Sequence, residues 1–498
     1  MPVVLWTDAL VFLLVAMIAG YAFYIRRQPH LLVPWRRVTQ SAYGVSALLV
    51  LSVYVVVGLA DSIHYRPALE HRDGQGEAQK TAYSSEVLSL LDAAAAPLRS
   101  RAERTYSAPF ATRAYQRETT ERTGPDGKVE QVREYPRLAF GGAHLADESD
   151  RERDILVRGL RALVLAFVAW WLLAGLVAAF QAHHGGSAGA HRVRDAWRAI
   201  WRGETRVPWH ALLLTAGVLM TLAFLAVALC THYHVFGTDK VGRDVFYLAL
   251  KSVRTGLVIG TLTTLVLLPL AVTLGIMAGY FRGWMDDVIQ YVYTTINSIP
   301  GVLLIAAAVL LMQVYVDQHP ELFPTAAQRA DLRLLFLCVI LGVTSWTGLA
   351  RLLRGETLKL RELEYVQAAQ AFGVKSGRIL SRHIVPNVMH IILISLVMDF
   401  SGLVLAEAVL SYVGVGVDPT MTSFGTMINQ ARMEMGRDPM VWWSLAAAFA
   451  FMFVLVLAAN LFADAVRDAF DPRVRVGSRA TLAAAASTGA ASVTPATR

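Results

Sequence analysis

The sequence predicts an all-α polytopic membrane protein with about nine transmembrane helices and a small α+β insert outside the membrane. Three observations carry that prediction. Of 498 residues, 55% are hydrophobic and 17% charged, and the mean hydropathy is +0.45; soluble domains carry about 25% charged residues. Nine stretches approach the roughly 20 apolar residues that a bilayer core needs. Basic residues gather between alternate stretches, as they do on the cytoplasmic side of membranes.

The nine stretches lie at roughly 5–25, 41–60, 157–180, 209–231, 254–280, 285–313, 333–353, 387–410 and 441–465. The first has no basic residue before it, and Arg26 and Arg27 follow it. That polarity is opposite to a secretory signal, so an uncleaved span is expected. Arg36 and Arg37 follow in the same loop, Arg192 to Arg206 fall between spans three and four, and Arg354 to Arg382 fall between spans seven and eight. Nine spans place all of these, and Arg473, Arg475 and Arg479 after the last span, on one side. The expected topology has the N-terminus outside and the C-terminus in the cytoplasm. The formal charge of +8 is then explained by anchoring loops, and no nucleic-acid partner is expected.

Residues 1–60 form two N-terminal spans, and 61–155 an extracytoplasmic domain. In that domain Ala78 to Arg104 is expected to be helical, with Leu88, Leu91 and Ala95 at helical spacing. A hairpin is expected over 115–122 and 128–135, turning through Thr123-Gly-Pro-Asp-Gly127. Residues 156–208 hold the third span and a basic cytoplasmic loop. His183-His184 in that loop read as solvated, since adjacent residues do not face one way on a helix. The tail 476–498 is Ala-, Ser- and Thr-rich and is expected to be disordered. Cys230 and Cys338 lie in apolar runs without a CxxC, which suits small buried side chains; no metal or redox site is expected.

The segment before span eight has a distinct design. It runs from Glu364 through Gln367-Ala368-Ala369 to Gly373, then on to Ile384-Val385-Pro386. The spacing predicts a short amphipathic helix ended at Gly373, a residue suited to positive φ, and a second short helix closed before Pro386. Ala368 and Ala369 offer a small-residue surface on which another protein can sit closely.

This segment resembles the signature loop of ATP-binding-cassette (ABC) importer permeases, which reads Glu-Ala-Ala, three residues, Gly, and further on Ile-x-Pro or Leu-Pro. Gln367 stands where the family usually has Glu, and Val385 where Leu is usual. The Gln removes one charge from the docking face. The resemblance covers roughly 209–475, the permease core, and favours the dipeptide/oligopeptide/nickel transport family. Within that family it points to the subunit type with a Gly-Thr-Asp loop, here Gly237-Thr238-Asp239 with Gly242-Arg243-Asp244 after span four. Gly279 to Trp284, Leu405 to Ala408, Ser411 to Val417 and Asp464 to Pro472 also match.

The resemblance implies a six-helix permease core, to which the first three helices are added. It implies a second homologous permease, two cytoplasmic ATPases docked on the signature loops, and an extracytoplasmic solute-binding protein. ATP and Mg would be bound by the ATPases; no cofactor is expected in this chain, which is not itself an enzyme. The cargo implied is a peptide carried across a bacterial inner membrane, with nickel chelates or other small solutes as the alternative. Gly237 and Gly242 have P-loop spacing, but Arg243-Asp244 follow where Lys-Ser/Thr is required, so nucleotide binding is excluded.

Polar residues in spans are costly and are functional suspects. Asp399 and Glu407, eight apart in span eight, share a face approximately and serve either a cargo path or subunit contact, or a structural hydrogen bond. Asn297 precedes Pro300 in span six, where a kink is expected that suits a gate or a static helix equally. At the end of span nine, Arg467 is the expected partner of Asp464. An ion-coupled secondary transporter would want repeat-related acids near mid-span; Asp399 stands without such a repeat. A membrane-anchored sensor would leave the signature segment unexplained.

Overall fold

The computed structural model describes residues 1–68, 83–84, 86–123, 129–184, 190–319, 321 and 325–470. The chain opens with strand β1 (Pro2–Val3), helix α1 (Trp6–Arg26), the short amphipathic α2 (Pro29–Val38) and α3 (Ala42–Asp61). Ser41 caps α3 by accepting from the Gly44 N–H at 3.2 Å. Strands β2 (His64–Tyr65) and β3 (Leu88–Ser89) follow. They complete an antiparallel three-stranded sheet in which β1 pairs with β2 and β2 with β3. The start of the chain is thereby tied to the insert.

The insert differs from the helix expected over 78–104. Residues 78–82 and 85 lie outside the described residues. The rest holds β3 and two five-residue helices, α4 (Leu90–Ala94) and α5 (Ala96–Ser100). Ser89 and Asp92 form a reciprocal capping box that starts α4. Pro97 sits in the first turn of α5, where it has no N–H to continue α4. The expected hairpin is present as β4 (Glu118–Thr123) and β5 (Val129–Glu134), paired in register from Glu118 with Glu134 to Thr123 with Val129. Its turn, 124–128, lies outside the described residues, as does the tail 471–498.

Next come α6 (Arg151–His184), α7 (Ala190–Arg202), α8 (Trp209–Cys230) and the 37-residue α9 (Val245–Phe281). At 1.5 Å per residue α9 is roughly 55 Å long, well beyond a bilayer core of about 30 Å. The expected sixth span, 285–313, is two helices rather than one kinked helix: α10 (Trp284–Ser298) and α11 (Gly301–Gln318). Ile299 and Pro300 between them are extended, with ψ of 132° and 117°. Pro300 starts a new helix instead of bending an old one. α12 (Ala326–Ser345), capped by Thr325, continues as α13 (Thr347–Arg361).

The signature segment holds α14 (Glu364–Ala371) and α15 (Ser376–Ile379). No closure precedes Pro386. A π-helical turn, Leu380–Ile384, joins α15 directly to α16 (Val385–Val413), and Pro386 sits in the first turn of α16 where its missing N–H costs nothing. Gly414, left-handed at φ 88°, ends α16. α17 (Phe424–Glu434) and α18 (Trp443–Phe470) complete the order. Among the described residues nine helical stretches are long and apolar enough to cross a membrane.

The core is arranged around α9. Its lower half packs with α13 and α16 through Ala271, Ile276, Leu353, Val388 and Ile392. Its upper half packs with α12 through Ile259, Leu262, Leu334 and Leu341, and Ile305 and Val309 of α11 join the same cluster. At its start, Val245 and Leu248 join Ala95 and Tyr106 of the insert and Trp443 of α18. Asp468 accepts from the Tyr43 hydroxyl at 2.7 Å and joins the end of α18 to α3; the expected pairing of Arg467 with Asp464 is not among the ion pairs of the described residues.

Candidate functional site

The signature segment is an anchored platform with an open top. Val366, Ile379 and Ile384 are fully buried and join the core formed by α9, α13 and α16. Glu364, Gln367, Ala368, Gly373 and Pro386 are exposed, and Ala369 is half-buried. Phe372 is 86% exposed. A phenyl ring left in water beside a small-residue surface is a feature of a face awaiting a partner. Gly373 takes φ 72°, the left-handed conformation that ends α14. The Gln367 amide donates to the Glu362 carbonyl at 3.2 Å and to its carboxylate at 3.4 Å. Glu362 is also paired with Arg282, which closes α9 at a positive φ of 59°. Beneath the platform, Arg354 of α13 donates two bonds of 2.6 Å to Asp286 of α10.

The Gly-Thr-Asp loop is closed, and the insert closes it. Thr238 is fully buried; its hydroxyl accepts from the Ser107 N–H at 2.6 Å and donates to the Thr105 carbonyl at 2.9 Å. Asp239 accepts from the N–H groups of Val241 and Arg243 and from the Arg243 guanidinium at 2.8–2.9 Å. Gly242 has φ 78°, and a Cβ there would lie 1.8 Å from the Glu103 carbonyl oxygen, so only glycine lets the insert approach this closely. Asp244 caps α9 through the Phe246 N–H at 2.8 Å and receives the His234 ring at 2.7 Å. The other His234 nitrogen lies 3.4 Å from Glu103. Glu103 also accepts the N–H groups of Ala139, Phe140 and Gly141 at 2.8–3.1 Å.

These contacts set the charges. Burial alone would raise the Glu103 carboxyl, but His234 and the three backbone donors outweigh it and hold the pKa at about 2. Burial works against a charged His234 ring, yet Asp244 and Glu103 prevail and raise its pKa to about 9. At neutral pH the imidazolium lies between two carboxylates.

The polar residues of the spans are not gathered into one site. Glu407 is buried and accepts from Ser411 at 2.7 Å and Ser423 at 2.8 Å, joining α16 to the cap of α17. Asp399 is half-buried and has no hydrogen bond or ion pair among the described residues. Asn297 and Pro300 are exposed at the α10–α11 break; the Asn297 side-chain oxygen accepts from Thr347 at 3.1 Å.

Sequence reasoning passes over a buried charge cluster between α1, α9 and α12. Arg254 of α9 donates to Asp8 of α1 at 2.6 Å and to Thr7 at 3.1 Å. Asp331 of α12 accepts from the Thr7 N–H at 3.1 Å, and His64 meets Asp8 at 2.7 Å. Nearby, Lys251 donates to Asp92 of the insert at 2.7 Å. Arg254 stands at the edge of an apolar stretch, where it reads as a snorkelling end residue. Its partners come from distant segments, so spacing gave no signal. The cluster fixes the added helices to the core.

This is a polytopic helical membrane protein with an exposed platform on its core, an architecture consistent with a transport permease. A family model described as "Binding-protein-dependent transport system inner membrane component" matches residues 271–476. The glutathione transport system permease protein GsiD of Pectobacterium atrosepticum is 31% identical over 305 residues, spanning 57% of this chain and 93% of that protein. The oligopeptide transport system permease protein OppC of Mycobacterium tuberculosis is 30% identical over 242 residues, 49% of this chain and 77% of that one. The dipeptide transport system permease protein DppC of Bacillus subtilis is 28% identical over 298 residues, 57% and 86%. The chain belongs to the binding-protein-dependent transport permease family, the inner-membrane subunits of ABC importers.

Proposed function

We propose that this permease moves peptides across the inner membrane by alternating access, driven by separate ATPase subunits. The observation that carries the coupling role is the platform: α14 is held from below by buried Val366 while Ala368, Gly373 and Phe372 face outward. Two cytoplasmic ATPases bind ATP and Mg and dock on this surface and its counterpart in a second, homologous permease. A solute-binding protein delivers cargo from outside. In this scheme the N-terminus is outside, and α14 and the C-terminus are in the cytoplasm, as the basic loops favour. Peptide as cargo rests on the relatives, whose names record oligopeptide and dipeptide transport.

Within the pathway, Asp399 is the residue we assign to the interface with the second permease, where a cationic group of cargo or subunit meets it. A half-exposed carboxylate in a span is costly unless paired, and among the described residues no group supplies the pair. The break at Ile299-Pro300 gives α10 and α11 a joint at which ATPase-driven movement is absorbed. Glu407 is a structural link in the same scheme.

Co-purification with the cognate ATPases tests the coupling. The wild type should retain them, and the Ala369→Arg, Gly373→Asp double variant should lose them while remaining monodisperse. Equal retention would refute docking at this platform. Uptake of a labelled dipeptide against a nickel chelate, in proteoliposomes holding the full transporter, tests the cargo; uptake of the chelate alone would reassign it.

A further inference from the structure

The segment α6–α7–α8 carries features that the function proposed above leaves unassigned. Between α6 and α8 lies an apolar groove of about 550 Å³, with Leu163, Phe167 and Trp170 on one wall and Leu214, Val218 and Leu222 on the other. Its polar groups are already satisfied: the Trp170 Nε1–H donates to the Leu213 carbonyl at 2.7 Å, and the Thr221 hydroxyl to the Gly217 carbonyl at 2.8 Å. Such a groove asks for hydrocarbon and offers nothing to a polar ligand.

One end of the groove leads to α7 along a run of aromatic rings. Phe167 lies 6.0 Å from Trp170, Trp170 6.3 Å from Trp201, and Trp201 6.1 Å from Trp197. Tryptophans are enriched at the headgroup boundary of membrane proteins. On α7, Arg194, Arg198 and Arg202 recur every fourth residue and are all exposed. Arg198 has a loose ion pair with Asp195 at 3.9 Å, and Arg194 and Arg202 have none among the described residues. Arg198 is three residues before Trp201, so the cationic stripe adjoins the aromatic run.

We infer that α6–α7–α8 is a binding site for an anionic phospholipid, with an acyl chain in the α6–α8 groove and the phosphate on the α7 arginines. Charge decides for a lipid over a helix of another subunit: an apolar helix fills the groove but leaves Arg194 and Arg202 unanswered and Arg198 with only its loose pair to Asp195. The site belongs to the leaflet that α7 faces and does not depend on the cargo.

The test is native mass spectrometry of the full chain, purified in mild detergent with equimolar phosphatidylglycerol and phosphatidylcholine. Each arginine near an anionic headgroup contributes roughly fivefold, so wild type should retain phosphatidylglycerol strongly over phosphatidylcholine. The Arg194→Gln, Arg198→Gln, Arg202→Gln variant should keep bound lipid but lose the preference. Val218→Trp, at a position 55% exposed, should lose retained lipid altogether. Equal retention of the two lipids by wild type, or an unchanged preference in either variant, overturns the proposal. Loss of the retained lipid when the transporter assembles would assign the groove to another subunit and overturn it as well. Monodisperse elution of each variant guards against misfolding as the cause.

Discussion

Residues 234–244 and residues 364–373 both carry motifs of the same transport family, and their side chains are disposed in opposite ways. In the first, Thr238 and Asp244 are buried and the insert supplies Glu103 and Ser107 as partners. In the second, Gln367, Ala368 and Gly373 face solvent and Phe372 is 86% exposed. The first loop is an internal joint, already occupied by this chain's own insert. The second is an open surface that this chain's described residues leave uncovered. The added N-terminal region thus closes the first loop and leaves the face of α14 open.

Breaking the joint should have the largest effect. Glu103→Ala takes the acceptor from three backbone N–H groups and one carboxylate from a buried His234. Removing one partner of a buried charged pair costs about 3–5 kcal/mol. Hydrogen exchange should show residues 101–145 opening, while ATPase co-purification through the distant platform is retained. If the insert stays protected, Glu103 is not what holds it.

Acidity probes the same joint more gently. The Glu103 pKa is lowered to about 2, so its contribution is present above its ordinary value and is lost as pH falls toward 2. The His234 pKa is raised to about 9, so its contribution is full below its ordinary value and is lost as pH rises through 9. The insert should therefore be held most firmly between about pH 5 and 6 and loosen on going to pH 10. Trp443, whose Nε1–H donates to the Thr238 carbonyl at 3.0 Å, lies in the joint. Mutation of other tryptophans would isolate its fluorescence as the reporter. A signal flat from pH 6 to 10 would show that His234 is not the titrating group.

What the sequence could reveal follows the same division. The span count was readable because apolar length alone decides it, and the hairpin because period-two pairing flanks strong turn residues. The platform was readable because its constraints are local: a glycine at positive φ and a small-residue pair a few positions before it. The joint was not, since Glu103, His234 and Asp244 meet only after the insert folds back across more than a hundred residues. Asp8, Arg254 and Asp331 escape for the same reason. The break at Pro300 reads equally as a kink in sequence; the extended Ile299 decides it.

On the open platform the contrast predicts binding loss without stability loss. Phe372→Ala removes a ring that touches little in this chain, so folding stability should change by less than about 0.5 kcal/mol. If the ring anchors the ATPase, affinity should fall by about 2 kcal/mol, roughly 30-fold. Surface binding kinetics on the purified subunits measures it. A stability loss in place of an affinity loss would make Phe372 part of the fold.

The smallest effect concerns the departure at residue 367. Gln367→Glu restores the family's usual residue but sets a carboxylate beside Glu362, which the amide now contacts at 3.2 and 3.4 Å. Arg282 already pairs with Glu362 and offsets part of that repulsion. Exposed charge pairs are worth about 0–1 kcal/mol, so ATPase affinity should shift by no more than about fivefold. Raised salt should shrink the shift further, because the site is in solvent. A change beyond tenfold would mean that the ATPase holds a desolvated cation against this position. The platform would then be charge-specific, closer in character to the buried joint than its exposure implies.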